Sequence, residues 1–125
     1  MTENEIAKEI VNAAYKIHTT LGPGLLESVY EATMEYEIKK RGLYVVRQQH
    51  IDIAYEDMYL EAAFRADLIV EDKVIIELKS VEATHPVHKK QLLTYLRLTD
   101  KKLGLLINFG QVLIKDGITR LVNGL

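Results

Sequence analysis

The strongest constraint on what this chain can fold into lies between residues 64 and 80. Phe64-Arg65-Ala66-Asp67-Leu68-Ile69-Val70 and Val74-Ile75-Ile76-Glu77-Leu78-Lys79-Ser80 are apolar, β-branched-rich runs, separated only by Glu71-Asp72-Lys73. This is the pattern of adjacent antiparallel strands joined by a tight turn. A strand repeats every two residues, so Glu77 and Lys79 share one face and Ile76 and Leu78 the other. An acid and a base held together on an otherwise apolar strand must be desolvated together, which is costly unless a metal, ligand or partner charge compensates. Asp67, at the matching place on the preceding strand, offers a second carboxylate. The competing reading is structural: Glu77 and Lys79 pair on a solvated sheet face and Asp67 merely ends a strand.

Length and charge bound the function classes. The 125 residues suit one domain, residues 1–125, and 48% hydrophobic with 27% charged residues is an ordinary globular balance. No cysteine is present, so disulfides and thiolate metal sites are excluded and a reducing compartment fits. Glu3, Glu5, Lys8 and Glu9 interrupt the first apolar residues, and no later stretch is long enough to cross a bilayer, so a cytoplasmic protein with no membrane partner is expected. A formal charge of -2 argues against binding nucleic acid through overall positive charge. Any contact with phosphate must be local or metal-assisted.

From the N-terminus, Ile6, Ile10, Ala13, Ala14, Ile17 and Leu21 recur at helical spacing and predict an amphipathic helix over residues 4–20. Gly22-Pro23-Gly24 stops it, and a second helix follows over 25–41 with Gly42 as its stop. In that helix Glu27 falls in the first turn, where the dipole favours an acid, and Tyr30 shares its face. Strands are predicted over 44–55 and 59–70, the second leading into the hairpin and completing a three-stranded meander that the helices can cover. Pro86 opens a third helix, in which His88, Gln91 and Tyr95 fall on one stripe. Tyr95 can equally be a core aromatic with its hydroxyl at the rim. Residues 103–110 then read as a buried strand, and 111–121 as a last short strand or two. In this order the carboxylates Glu27, Asp67 and Glu77 converge with Lys79.

These residues resemble a known group. Asp67 with Glu77-Leu78-Lys79 looks like the acid and Glu-x-Lys signature of the PD-(D/E)XK nuclease superfamily, on the expected second and third strands. Gln91-Leu92-Leu93-Thr94-Tyr95 is similar to the Gln-x-x-x-Tyr motif of RecB-like members, and Gly24-Leu25-Leu26-Glu27-Ser28-Val29-Tyr30 resembles the signature of the small GxxExxY proteins within the superfamily. Leu106-Ile107-Asn108-Phe109-Gly110 looks like that family's late strand. Ala66 stands where the superfamily's name has proline, a position that shapes the strand and does not ligate metal.

The resemblance implies an α/β (α+β), restriction-endonuclease-like core: a mixed central sheet with a three-stranded antiparallel meander, flanked by helices. It implies a metal-dependent nuclease acting on DNA, or a silent nuclease-fold module that binds nucleic acid or protein without cleaving it. Carboxylate and water oxygens suit Mg²⁺ or Mn²⁺. Asp67 and Glu77 would bind the ion directly, with the Leu78 carbonyl, and Glu27 would do so directly or through water. Two like charges at ~4 Å cost about 4 kcal/mol at an effective dielectric of ~20, so one divalent cation and Lys79 balance the three acids. Asp67, Glu77, Lys79, Gln91 and Tyr95 are then the candidate catalytic set. Tyr30, His88, Lys89 and Lys90 are candidate nucleic-acid contacts, with Arg47, Arg65 and Arg97 completing a basic rim. A homodimer or helper subunit would help so small a core grip a duplex.

Overall fold

The computed structural model describes all 125 residues. Helix α1, Glu3–Leu21, is opened by a reciprocal cap: the Glu5 amide donates to Thr2 Oγ1 at 3.2 Å and the Thr2 amide donates to Glu5 Oε1 at 2.9 Å. Helix α2, Glu27–Lys40, follows after the Gly-Pro-Gly break. Strands β1, Val45–Tyr55, β2, Met58–Val70, and β3, Val74–Lys79, form the expected meander. Helix α3, Pro86–Thr99, then crosses back to β4, Leu103–Asn108, which lies parallel to β3. A 3-10 turn, Ile114–Gly117, leads into the edge strand β5, Ile118–Val122, antiparallel to β4. Where one or two short strands were expected after residue 111, the chain therefore makes a tight helical turn and one strand.

The sheet runs β1-β2-β3-β4-β5, antiparallel except for β3 with β4. Strand alternation gives it two apolar faces. Leu68, Val74, Ile76, Leu78, Leu105 and Ile107 pack with α1 and α2 in the larger core. Ala66, Ile69, Ile75 and Leu106 pack under Leu92 and Leu96 of α3 in the smaller one. A sheet buried on both faces explains why β3 and β4 read as nearly continuous apolar runs. Gly104 lets α3 sit close: a Cβ there would meet the Leu92 side chain at 3.0 Å. This mixed sheet with helices on both sides is a restriction-endonuclease-like core. None of its helices is long and apolar enough to cross a membrane.

Candidate active site

The site forms where β2 and β3 part. Their ladder runs only from Val70↔Val74 to Leu68↔Ile76, whereas β3 stays paired to β4 as far as Lys79↔Asn108. The next residues on each strand are Asp67 and Glu77. The Leu78 amide, beyond the end of the β2–β3 ladder, donates to Asp67 Oδ2 at 2.8 Å and so fixes that carboxylate beside Glu77. The buried Oε1 of Glu77 has no hydrogen-bond partner at all. Burial first, and then the Asp67 charge, push the Glu77 carboxyl up to about 9, although the Lys79 ammonium acts in the opposite sense. Lys79 is half-buried and has no carboxylate within 4 Å, so its ammonium is uncommitted.

The floor of this site is held from β4. Asn108 is fully buried; its Oδ1 accepts from the Val81 and Gly110 amides at 3.0 and 2.9 Å, and its Nδ2 donates to the Val81 carbonyl at 2.9 Å. The Asn-Phe-Gly sequence thereby pins the segment leaving β3. Gly110 is required by close approach, because a Cβ there would lie 2.1 Å from the Val81 carbonyl oxygen.

Tyr30 does not contact solvent. It was expected as a nucleic-acid contact, but it is completely buried and stacks on Phe109, with ring centroids 4.3 Å apart and planes 6° from parallel. Its hydroxyl donates to the Gly22 carbonyl at 2.6 Å and accepts from the Leu25 amide at 3.1 Å. Tyr30 thus clamps the loop before α2, and Ser80 Oγ donates to the Leu25 carbonyl at 2.5 Å to tie that loop to the end of β3. The Gly-x-x-Glu-x-x-Tyr spacing places a tyrosine one turn inside the helix so that it can hold the start that carries Glu27.

Glu27 itself is exposed, and its charge reaches His88 at the start of α3. It does not close a ligand set: no three His, Asp or Glu side chains lie close enough to hold an ion between them. Glu27 was expected to reach an ion directly or through water, and in this structure it stands apart from Asp67 and Glu77.

Helix α3 lays the rest over the site. Tyr95 stacks on Phe64 of β2 at 3.9 Å between centroids, and its hydroxyl pKa is raised by burial and by the Glu77 and Asp67 charges. Gln91 is exposed, one turn earlier, without a hydrogen bond to either acid or to Lys79. His88 Nδ1 accepts from the His85 amide at 3.2 Å, and burial, Lys79 and His85 together hold its pKa below the ordinary histidine value. Lys89 and Lys90 are exposed and unpaired. Arg47 is not available to phosphate, since it pairs with Glu31 at 3.3 Å and Glu35 at 3.7 Å.

Two supporting residues escaped the sequence reading. Gln48 Nε2 donates to Glu31 Oε1 at 2.6 Å and lies 3.4 Å from Asp67 Oδ1, so an amide on β1 links α2 to Asp67. Gln48 adopts a left-handed φ of 55°, a costly conformation for a residue with a Cβ. The signals were faint: Glu31 lies one helical turn after Glu27, and Gln48 sits in the polar interruption of β1.

The site is open. None of the molecule's four pockets is lined by Asp67, Glu77 or Lys79. Asp67, Glu77 and Lys79 are each partly buried and lie at the end of the β2–β3 ladder, not inside a closed cavity.

With this geometry in place, comparison with known proteins is decisive for the family. The model of the PD-(D/E)XK nuclease superfamily matches residues 4–121. The chain belongs to that superfamily. No curated protein matches it. The crystal structure of SSO0001 superposes with a TM-score of 0.52 at 22% identity, over 94% of this chain and 55% of that one. At that identity the likeness shows the fold alone, and this chain spans about half of the other's length. Superfamily membership makes phosphodiester hydrolysis supported by divalent metal the general expectation.

The donor set fits such an ion. Two adjacent carboxylates, one with a buried oxygen that no protein group satisfies, supply hard oxygen ligands.

Proposed function

We propose that this chain is a metal-dependent nuclease of the GxxExxY kind, hydrolysing phosphodiester bonds in DNA with Mg²⁺ or Mn²⁺ held by Asp67, Glu77 and the Leu78 carbonyl. The observation that carries this reading is the unsatisfied, buried Glu77 Oε1 beside an aspartate that is itself pinned by a backbone amide. When bound, a hard divalent ion supplies Lewis acidity toward a phosphoryl oxygen and makes water a better nucleophile. Lys79, with no protein carboxylate to occupy it, faces the scissile phosphate, orders the attacking water and stabilises negative charge growing on the phosphoryl oxygens. Tyr95 positions α3 through its stack on Phe64, and Gln91 reaches the acids or Lys79 once substrate is bound. His88, Lys89 and Lys90 at the start of α3 contact the sugar-phosphate backbone.

The alternative, a module that binds nucleic acid or a protein without cutting it, draws on one observation: no three acidic or histidine side chains are gathered into a ligand set. A cleavage assay on DNA with Mg²⁺ or Mn²⁺ separates the two. The wild type should cut, and Glu77→Ala and Lys79→Ala should each lose at least about a hundredfold in rate. Equal activity in all three preparations would identify a contaminant and leave the binding module standing.

A further inference from the structure

Two hydrogen-bond donors beside the acids are left over by the protein. One is the Lys79 ammonium, with no carboxylate within 4 Å; the other is the Nε2 side of His88, whose one hydrogen bond is made at Nδ1. The fold brings them together. Ile75, Glu77 and Lys79 alternate onto the face of β3 that α3 covers, since Ile75 packs with Leu92 and Leu96. Helix α3 crosses back over the sheet to a strand parallel to β3, so its first turn lies over the end of β3 that carries Lys79. His88 stands one turn before Leu92, as Lys79 stands four residues beyond Ile75. The Lys79 and Glu27 charges both act on His88, so the ring is within reach of β3 and of the start of α2.

The chemistry of the imidazole is set by its neighbours. The His85 amide donates to His88 Nδ1 at 3.2 Å. A backbone amide can only donate, so Nδ1 bears the lone pair and the neutral ring carries its proton on Nε2. The His85 ring stands edge-on, 6.0 Å between centroids and 88° between planes, and further limits how the imidazole turns. Burial first, and then the Lys79 and His85 charges, hold the His88 pKa below the ordinary histidine value against the pull of Glu27, so the ring is mostly neutral at pH 7. Such a ring is a poor acid, and its lone pair is already taken, so it is no base. What remains is a hydrogen-bond donor of fixed direction beside a free ammonium.

We infer that His88 is a catalytic residue of this site: its Nε2–H, paired with the Lys79 ammonium, donates to a non-bridging oxygen of the scissile phosphate and stabilises the charge that grows there in the transition state. This rests on the hydrolysis reading above, and it moves the backbone contact given to His88 there onto the reacting phosphate. The ring transfers no proton and holds its Nε2–H throughout. The bond from the His85 amide is then an aiming device, because the turn that starts α3 also sets the direction of the donor.

Two substitutions separate this role from a structural one, because each keeps one half of the imidazole. Asparagine offers an acceptor near Nδ1 but no donor as far out as Nε2; glutamine carries a donor to Nε2 and leaves the His85 amide unpaired. With the full chain, saturating Mn²⁺ and a DNA duplex, His88→Asn should lower kcat about 10–100-fold, with KM within about threefold and Tm close to wild type. His88→Gln should recover about tenfold of kcat over His88→Asn while its Tm falls. The ratio of wild type to His88→Asn should stay level between about pH 7 and 9, since the donor does not titrate there. The reverse ranking, with His88→Asn fast and His88→Gln slow, would make His88 a helix cap and overturn the inference. So would a loss confined to KM, or a ratio that shrinks as pH rises, the mark of a protonated acid. Glu77→Ala reports on the underlying reading: if it cuts as fast as wild type, or wild type does not cut, both fall. If only wild type and His88→Asn cut, and equally fast, the inference about His88 falls alone.

Discussion

Burial and the neighbouring Asp67 charge push the Glu77 carboxyl up to about 9, from 4.5 for a free glutamate, and this single group sets two opposed pH dependences. The metal-free fold prefers the protonated acid. Its contribution is complete below the unfolded value and is lost as pH rises through the folded one, so between about pH 4.5 and 9 the metal-free protein should lose stability steadily from this group. Glu77→Gln keeps a neutral side chain at every pH, so thermal unfolding in EDTA should show a flatter pH profile and a higher Tm at pH 8 than wild type. An ion needs the carboxylate, so Mn²⁺ affinity should climb across the same window with release of a proton and should vanish in the variant. Parallel pH profiles for the two proteins would show that Glu77 is solvated and would remove the main support for the metal site.

Gln48 poses a different question at the same scale. Glycine adopts its left-handed φ without steric cost but forfeits the amide that links Glu31 to Asp67. Relief of strain and loss of chain stiffness nearly cancel, so Gln48→Gly should leave unfolding within about 1 kcal/mol of wild type. If the amide positions Asp67, Mn²⁺ binding measured calorimetrically should still weaken about 10–100-fold. Unchanged binding would make Gln48 a structural bulge and nothing more.

At the scale of elements, what the sequence revealed follows from how local each signal is. The hairpin, the Gly-Pro-Gly break and the Pro86 start were legible because periodicity and punctuation act within a few residues. The pairing of Asp67 with Glu77 followed from the hairpin's own register. Tyr30 was misread because its helical position shares a face with Glu27, and nothing local shows that the loop before α2 folds back onto the hydroxyl. Glu31 and Gln48 meet across seventeen residues, a link fixed only when α2 docks on the sheet. The outer, exposed half of the β1–β2 hairpin read as ordinary strand, since alternation reports pairing and not whether a third layer covers the result. The clamp on α2 gives an element-scale prediction. Tyr30→Phe keeps the stack on Phe109 but removes both hydroxyl bonds, from groups near enough to solvent to find water in part. It should cost about 1 kcal/mol in urea unfolding and raise hydrogen exchange at the Leu25 amide. Exchange that stayed at the wild-type rate would show that the loop is held by Ser80 alone.

At the scale of the whole molecule, a net charge of -2 means that the proposed binding of DNA would rest on where the cations are placed and not on total charge. Acids dominate the exposed outer end of the β1–β2 hairpin, with Asp52, Glu56, Asp57 and Glu61, and Glu9, Glu31, Glu35 and Glu37 are occupied by Arg41, Arg47 and Lys16 on the α1–α2 side. The cations left uncommitted include Lys79, Lys89 and Lys90, all on or beside the start of α3. If DNA follows that line across the open ledge, each lysine that meets a phosphate releases a counterion and adds about 0.9 to the slope of log affinity against log salt. Binding in EDTA, where cleavage is suppressed, isolates this term. Lys89→Ala with Lys90→Ala should lower the slope by about 2 and weaken binding alike on every sequence, because backbone contacts carry no base readout. A slope that did not change would send the DNA elsewhere on the surface, away from Glu77, and binding and hydrolysis would then need separate explanations.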